Sequence, residues 1–312
     1  MVKVLITGGA SSCIGPELIK ILAEKQIQIV VADEPTEESN SYPASVATYY
    51  GIVLEKDALI HIMRKEQIDY VIHLKTILIG SNSIKDSFHL SERNIATTIQ
   101  VLEACAAKKV KKIIFPSTVA VYGQLEEPIT ESAPLYPNLF AGVSKKIEEQ
   151  YVKNYHSLYG LPYSILRFST IYGPLSTYSG DKAAVLSTIK PYIKNELVVT
   201  TKKEELKTDF IYIKDAVSAI FASLEAGDNE VINIASGNAT SLQEITDMMQ
   251  KISGQASVPV TKQEQGMNKN DGPFSIKKAH YSLRWHPKRN LEDGIKDMIS
   301  CVVSGAFSKK TL

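Results

Sequence analysis

Cysteine is scarce: Cys13, Cys105 and Cys301 are the only three in 312 residues, too few and too scattered for a disulfide framework. No Cys/His pair has zinc-ligand spacing, so a reducing compartment and no structural metal are expected. Net charge is equally scarce. Thirty-five Lys and Arg stand against 34 Asp and Glu, a formal +1, which leaves no field to gather nucleic acid or acidic membrane. No run reaches the ~20 apolar residues of a membrane span. The first apolar stretch ends within a few residues at Gly8 and Gly9, without a signal-peptide cleavage pattern. A cytoplasmic protein that binds neither nucleic acid nor membrane is the expectation. Repeats and low-complexity tracts are missing too. A composition 44% hydrophobic and 22% charged describes a globular chain with one large core, or a core and a smaller lobe.

Short runs rich in Val and Ile alternate with longer amphipathic segments from residue 2 to about 235, the pattern of a parallel sheet covered by helices on both faces. The expected strands are Val2–Thr7, Gln28–Ala32, Ala47–Val53, Tyr70–Leu74, Lys112–Pro116, Tyr163–Phe168 and Val231–Ile234. Helices are expected at Gly15–Lys25, Lys56–Glu66, Ser91–Lys108, Ala141–Tyr159, Ile213–Glu225, Ser241–Ser253 and Leu291–Val302. Turn-rich stretches follow at Leu175–Asp181 and Gln263–Pro273. The fold class is therefore α/β: a Rossmann-type doubly wound parallel sheet with a smaller C-terminal α/β substrate-binding lobe. Residues 1–170 are expected to form the main sheet part, to which a later segment at about 209–236 returns, and residues 171–312 mainly the lobe.

After the first strand the chain reads Thr7-Gly8-Gly9-Ala10-Ser11-Ser12-Cys13-Ile14-Gly15. Small residues here let backbone amides and a helix N-terminus approach a pyrophosphate. A plain tight turn is the alternative. Asp33 ends the second strand where a carboxylate accepts hydrogen bonds from an adenosine ribose, which favours NAD over NADP. It could instead simply open the acidic turn Asp33–Glu38.

Further landmarks follow in order: Tyr70-Val-Ile-His-Leu74, Asn94, Ile113-Ile-Phe-Pro-Ser-Thr-Val-Ala-Val-Tyr-Gly123, Gly142-Val-Ser-Lys145 and Arg167. Tyr172-Gly-Pro174, Asp209-Phe-Ile-Tyr-Ile-Lys-Asp215, Asn233-Ile-Ala-Ser-Gly237 and Leu283-Arg-Trp-His-Pro287 complete the series. Together they resemble the extended short-chain dehydrogenase/reductase family, in particular its nucleotide-sugar epimerases and dehydratases. The resemblance implies a transient oxidation of a sugar hydroxyl by bound NAD, with a nucleotide sugar as substrate and a homodimer as the assembly. It implies a cofactor site of Gly8, Gly9, Ser11, Ser12, Cys13, Ile14, Gly15, Asp33, Leu74, Lys75, Asn94, Ser117, Lys145 and Phe168. Substrate contacts fall on Thr118, Thr170, Lys207 and Thr208. The dimer face falls on Ile95, Ile99, Leu102, Ile147 and Tyr151, whose helical spacing would equally serve to pack them on the sheet.

In the resembled family a tyrosine acts as general acid/base. Its phenol, with a pKa of ~10 in water, is tuned by a lysine one helical turn on, while a Ser or Thr hydroxyl aligns the reacting oxygen. Lys145 and Thr118 take the last two roles by resemblance. The tyrosine position is Ala141, whose methyl group can move no proton. Tyr122 is either a stand-in or a packing aromatic. Cys13 stands where relatives place a glycine, and its side chain is expected to crowd a pyrophosphate. Lys75 replaces a small residue and could pair with a phosphate, pair with Asp33, or project into solvent. Thr170 and Thr208 stand where the family has an asparagine and an arginine, with Lys207 beside the latter. A dinucleotide-binding protein without redox turnover, and an oxidoreductase or lyase on a non-sugar substrate built around Lys75 or Lys145, are the rival readings.

Overall fold

The computed structural model describes residues 2–9, 12–33, 42–43, 45–50, 54–76, 84–125, 128–174, 198–201, 207–253, 260–263 and 272–304. In chain order the strands are β1 (Lys3–Thr7), β2 (Gln28–Asp33), β3 (Ala47–Tyr50), β4 (Tyr70–His73), β5 (Lys112–Thr118) and β6 (Tyr163–Phe168). They continue with β7 (Thr170–Tyr172), β8 (Val198–Thr201), β9 (Lys207–Tyr212), β10 (Glu230–Ile234), β11 (Ala239–Ser241) and β12 (Val260–Gln263). The helices are α1 (Gly15–Glu24), α2 (Lys56–Glu66), α3 (Ile84–Lys108), α4 (Phe140–Tyr159), α5 (Ile213–Ala222), α6 (Leu242–Ser253), α7 (Lys277–Leu283) and α8 (Leu291–Val303).

β1 shows why the sheet is parallel and doubly covered. Val4, Leu5 and Ile6 are all fully buried, with Val4 and Ile6 in the core on one face and Leu5 in the core on the other. The first core is completed by Leu18 and Leu22 of α1 and Val217 and Ile220 of α5. Leu59 and Ile62 of α2, Val101 and Leu102 of α3 and Val152 of α4 complete the second. Seven strands pair in parallel in the order β3-β2-β1-β4-β5-β6-β10, so the crevice between β1 and β4 is where the winding reverses. β11, β9 and β7 form a second sheet, and β12 pairs with β8.

Differences from the sequence reading are local. β5 runs past Pro116 to Thr118 because pairing with β4 stops at Ile114, leaving Pro116 beside β6 alone. α3 begins at Ile84 rather than Ser91, directly after Ser83 and with Asp86 three positions on, the spacing of a helix-start signal. Ser241 ends β11 and caps α6. Its hydroxyl accepts from Glu244 N at 3.2 Å while the Glu244 carboxylate accepts from Ser241 N at 2.7 Å, a reciprocal capping box. Of the 209–236 stretch, α5 packs on α1 and β10 joins the large sheet, whereas β9 pairs in the second sheet. Leu102 points into the core rather than outward. Residues 51–53, the 175–181 stretch and most of the 263–273 stretch lie outside the described residues.

Buried polar contacts lock these layers. Asp209 accepts from Ser236 N at 2.8 Å, Ser236 Oγ at 2.7 Å and Gly237 N at 3.0 Å, tying β9 to the loop after β10. Trp285 Nε1 donates to Ser218 Oγ at 2.8 Å, so the C-terminal signature is a clasp on α5. Glu149 on α4 accepts from Arg167 Nε at 3.0 Å and Nη2 at 2.7 Å, and from Ser117 Oγ at 2.6 Å. That fork pins α4 to β5 and β6. Removing one partner of a buried pair leaves an uncompensated charge. Glu149→Ala is therefore expected to lower the unfolding free energy by about 3–5 kcal/mol in urea denaturation; a loss within the ~1 kcal/mol of a surface pair would show that the fork does not hold α4.

Candidate active site

The turn between β1 and α1 is built by exclusion of side chains. A Cβ on Gly15 would lie 1.7 Å from the Gly9 carbonyl oxygen, and one on Gly8 would lie 2.4 Å from the Lys75 backbone, with Gly8 at φ +76°. Only glycine permits both approaches. Ile14 precedes α1 without a side-chain cap, and the helix starts at the carboxyl edge of β1 with Gly15 N donating to Ser12 O at 3.2 Å and Pro16 carrying no N–H. Ser12 Oγ accepts from Ile14 N at 3.3 Å. Cys13 is half-buried and packs against the apolar core. Ser11 lies outside the described residues.

Asp33 ends β2 on the same edge, 1% exposed. Lys75, just beyond β4, reaches across Gly8 and sets Nζ 3.2 Å from Asp33 Oδ1. Leu74 continues the ladder, its N donating to Thr7 O at 2.8 Å. Asn94 is buried in α3, and Phe168 is buried at the end of β6.

Thr118 ends β5, and its Oγ1 accepts from Ala120 N at 3.2 Å, capping a 3-10 turn over Val119–Val121. Tyr122 follows, and it is a packing aromatic. Its ring lies under the Arg167 guanidinium at 4.8 Å and its hydroxyl donates to Asn233 Oδ1 at 2.6 Å. Burial pushes its phenol up to about 12, so it stays protonated at neutral pH. Thr170 opens β7 and pairs with Phe210 of β9; Lys207 and Thr208 stand two to three residues before that partner, on the second sheet.

α4 carries the remaining site residues. Ala141 is exposed in its first turn, with Lys145 one turn on and almost wholly covered. Lys145 Nζ donates to Glu148 Oε2 at 2.9 Å and lies 4.6 Å from the Phe115 ring centre. Glu148 is fully buried and also accepts from Thr98 Oγ1 at 2.8 Å. Thr98 thereby spends its only proton, so His73 Nε2, 3.1 Å away, must donate to it, and His73 Nδ1 must accept from Thr7 Oγ1 at 2.6 Å. A single line of hydrogen bonds thus joins β1, β4, α3 and α4 and ends at Glu148.

The ends of β1, β2, β4, β5 and β6 and the first turns of α1 and α4 therefore share one edge. Sequence reasoning missed Glu148, Thr98 and Thr7. The only available signal was the three-residue spacing of Lys145 and Glu148, common on any helix surface.

A nucleotide-binding turn, an acidic second strand end and a covered lysine on one edge of a doubly wound sheet define a dinucleotide-binding α/β protein. The model of the NAD dependent epimerase/dehydratase family matches residues 4–235, and the chain belongs to that family. It is 30% identical over 312 residues to the dTDP-4-dehydro-6-deoxyglucose reductase of Escherichia coli, covering 96% of this chain and 97% of the relative. The crystal structure of a UDP-glucose 4-epimerase from Thermotoga maritima with UDP-glucose superposes with a TM-score of 0.90, at 26% identity, over 98% of this chain and 100% of the other. UDP-glucuronic acid 4-epimerase from Bacillus cereus, solved with UDP-glucuronic acid and NAD, gives 0.85 at 28% identity over 97% and 99%.

His73 offers a test of the hydrogen-bond line. Burial, then the nearby Lys145 and Lys75 cations, lower its pKa from 6.5 to about 3. The unfolded chain takes up that proton near 6.5 while the folded protein refuses it until about 3, so stability is lost as pH falls through this window. The His73 ring resonances should not titrate between about pH 5 and 8, and His73→Gln should flatten the acid limb of the melting temperature. A ring titrating near its ordinary value would break the line as drawn.

Proposed function

We propose that the chain binds NAD and a nucleotide sugar along this edge and carries out the family's chemistry on a sugar hydroxyl, as an epimerase or dehydratase slowed by the missing phenol. The observation that carries the reading is the turn from Gly8 to Gly15, closed to a side chain at both of those glycines, beside the buried Asp33 carboxylate. The turn amides and α1 N-terminus hold the pyrophosphate, and Asp33 accepts from the adenosine ribose hydroxyls. NAD supplies the hydride acceptor when bound. Thr118 aligns the reacting hydroxyl, and Lys145 serves the nicotinamide ribose. Thr170, Thr208 and Lys207 receive the sugar nucleotide from the second sheet, Lys207 as a point charge without the fork of an arginine. Residues 1–170 with the returning α5 and β10 form the cofactor part, and most of 171–312 the substrate lobe. Losing a positioned acid/base removes about 10²–10⁴-fold in rate.

The second reading, binding without turnover, is favoured by one observation: the methyl group of Ala141 stands in solvent while Lys145 is engaged by Glu148. Assembly as a homodimer is supported by Phe140, Val143, Ile147 and Tyr151, an apolar stripe exposed along α4 at helical spacing. Ile95 and Ile99 of the adjoining α3 are half-buried. A cytoplasmic location accords with three cysteines, none in a disulfide.

Mass spectrometry of small molecules released by denaturing gently purified protein is expected to find NAD or NADH, with a nucleotide sugar beside it. No dinucleotide, together with no change in NADH fluorescence on titration, would remove the redox reading. Finding both ligands but no conversion of UDP- or dTDP-sugars would leave binding alone.

The Lys75–Asp33 pair gives a sharper expectation. Lys75 offsets the carboxylate that disfavours a 2′-phosphate. Lys75→Ala should widen the preference for NADH over NADPH by about tenfold, or ~1.4 kcal/mol, in fluorescence titration. An unchanged ratio would place Lys75 outside the adenosine site.

A further inference from the structure

Ala141, Lys145 and Glu148 stand at i, i+4 and i+7 of α4, one stripe that runs from solvent inward to a fully buried carboxylate. Each neighbouring charge on the packed elements is taken elsewhere. Glu149, next on α4, is forked by Arg167 of β6, and Lys75 beyond β4 pairs with Asp33. His73 of β4 is neutral, and Phe115 of β5 and Thr98 of α3 bring only a ring and a hydroxyl. Glu148 is therefore the charge that Lys145 meets. At a distance a close ion pair acts as a dipole, because its two Coulomb contributions nearly cancel. Glu148 Oε1 is buried with no hydrogen-bond partner among the described residues, which a carboxylate kept only for packing would not leave open.

We propose that Glu148 is the positioning residue of this site: backed by Thr98, His73 and Thr7, it holds Lys145 inward and offsets its charge toward position 141, so that the field a phenol there would feel is lost as well as the tyrosine. The inference rests on the reading in which Lys145 serves the nicotinamide ribose and the reacting hydroxyl. It makes the departure from the family's chemistry a two-residue one. A phenol placed at 141 meets a closed ion pair, and the acid/base returns only when Glu148 is also removed.

The test is ionisation of a phenol introduced by Ala141→Tyr, read as the tyrosinate ultraviolet difference between the variant and its own background, with no dinucleotide or sugar present. Position 141 is exposed, so the substitution is accommodated. With Ala141→Tyr alone the new phenol should titrate at about 10, the value in water. With Glu148→Gln added it should fall by at least about one pH unit, a tenfold gain in ionisation constant. A phenol already lowered by about a unit or more in the single variant would overturn the proposal, and so would equal values in the two. Where Glu148→Gln does not fold, Glu148→Met fills the volume without a carboxylate, and the single variant decides by itself. A parallel NADH titration separates the two readings. Failure to bind NADH removes the enzymatic one and leaves the phenol comparison standing. A lowered phenol in the double variant, together with epimerase or dehydratase turnover absent from Ala141→Tyr, supports both.

Discussion

Two adjacent buried carboxylates on α4 need opposite partners, and satisfying them decides where the helix sits. An unpaired buried charge costs several kcal/mol, so neither Glu148 nor Glu149 tolerates an empty surrounding. Glu149 finds Arg167 and Ser117 at the ends of β6 and β5; Glu148 finds Lys145 on its own helix and Thr98 on α3. The two point to different neighbours. Together they tie α4 to the sheet and to α3, which sets where Ala141 and Lys145 stand.

The cost of this arrangement falls on the chemistry. A lysine that tunes a phenol works through uncompensated charge in a covered place. Here the covered place is kept and the charge is paired with Glu148 at 2.9 Å. The cofactor half of the edge differs, because the turn between β1 and α1 is intact where glycine is sterically required. Cys13 is absorbed by the core, and Lys75 bridges to Asp33 across the turn. Binding features and proton-transfer features are thus separable in one site. The first depend on backbone and shape, the second on a few side-chain charges.

Much of the architecture was legible before any coordinates. Strands buried on both faces read as continuous Val/Ile runs, and helices show apolar residues every three to four positions, so α2, β6 and the parallel, doubly covered sheet needed only the pattern. Strands of three or four residues in the second half did not show, because so short a run is shared by loops and strands alike. The start of α3 was missed although Ser83 and Asp86 stand at capping-box spacing before it, because polar residues at that spacing are common in loops as well. Tyr122 was undecidable in sequence, since a packing aromatic and a catalytic one are the same letter; only Asn233 and Arg167 around it made the distinction.

The sequence by itself determined the class of fold, the glycine turn, the acidic end of β2 and the absence of a tyrosine one turn before Lys145. These are local facts, set by residue type and spacing within a few positions. Only the tertiary structure decided what Lys145 faces. His73, Thr98 and Glu148 are 25 and 50 residues apart along the chain, and no local pattern couples them. They meet because parallel pairing brings β1 and β4 together and α3 packs on α4, and a charge acts through distance in space, not along the chain.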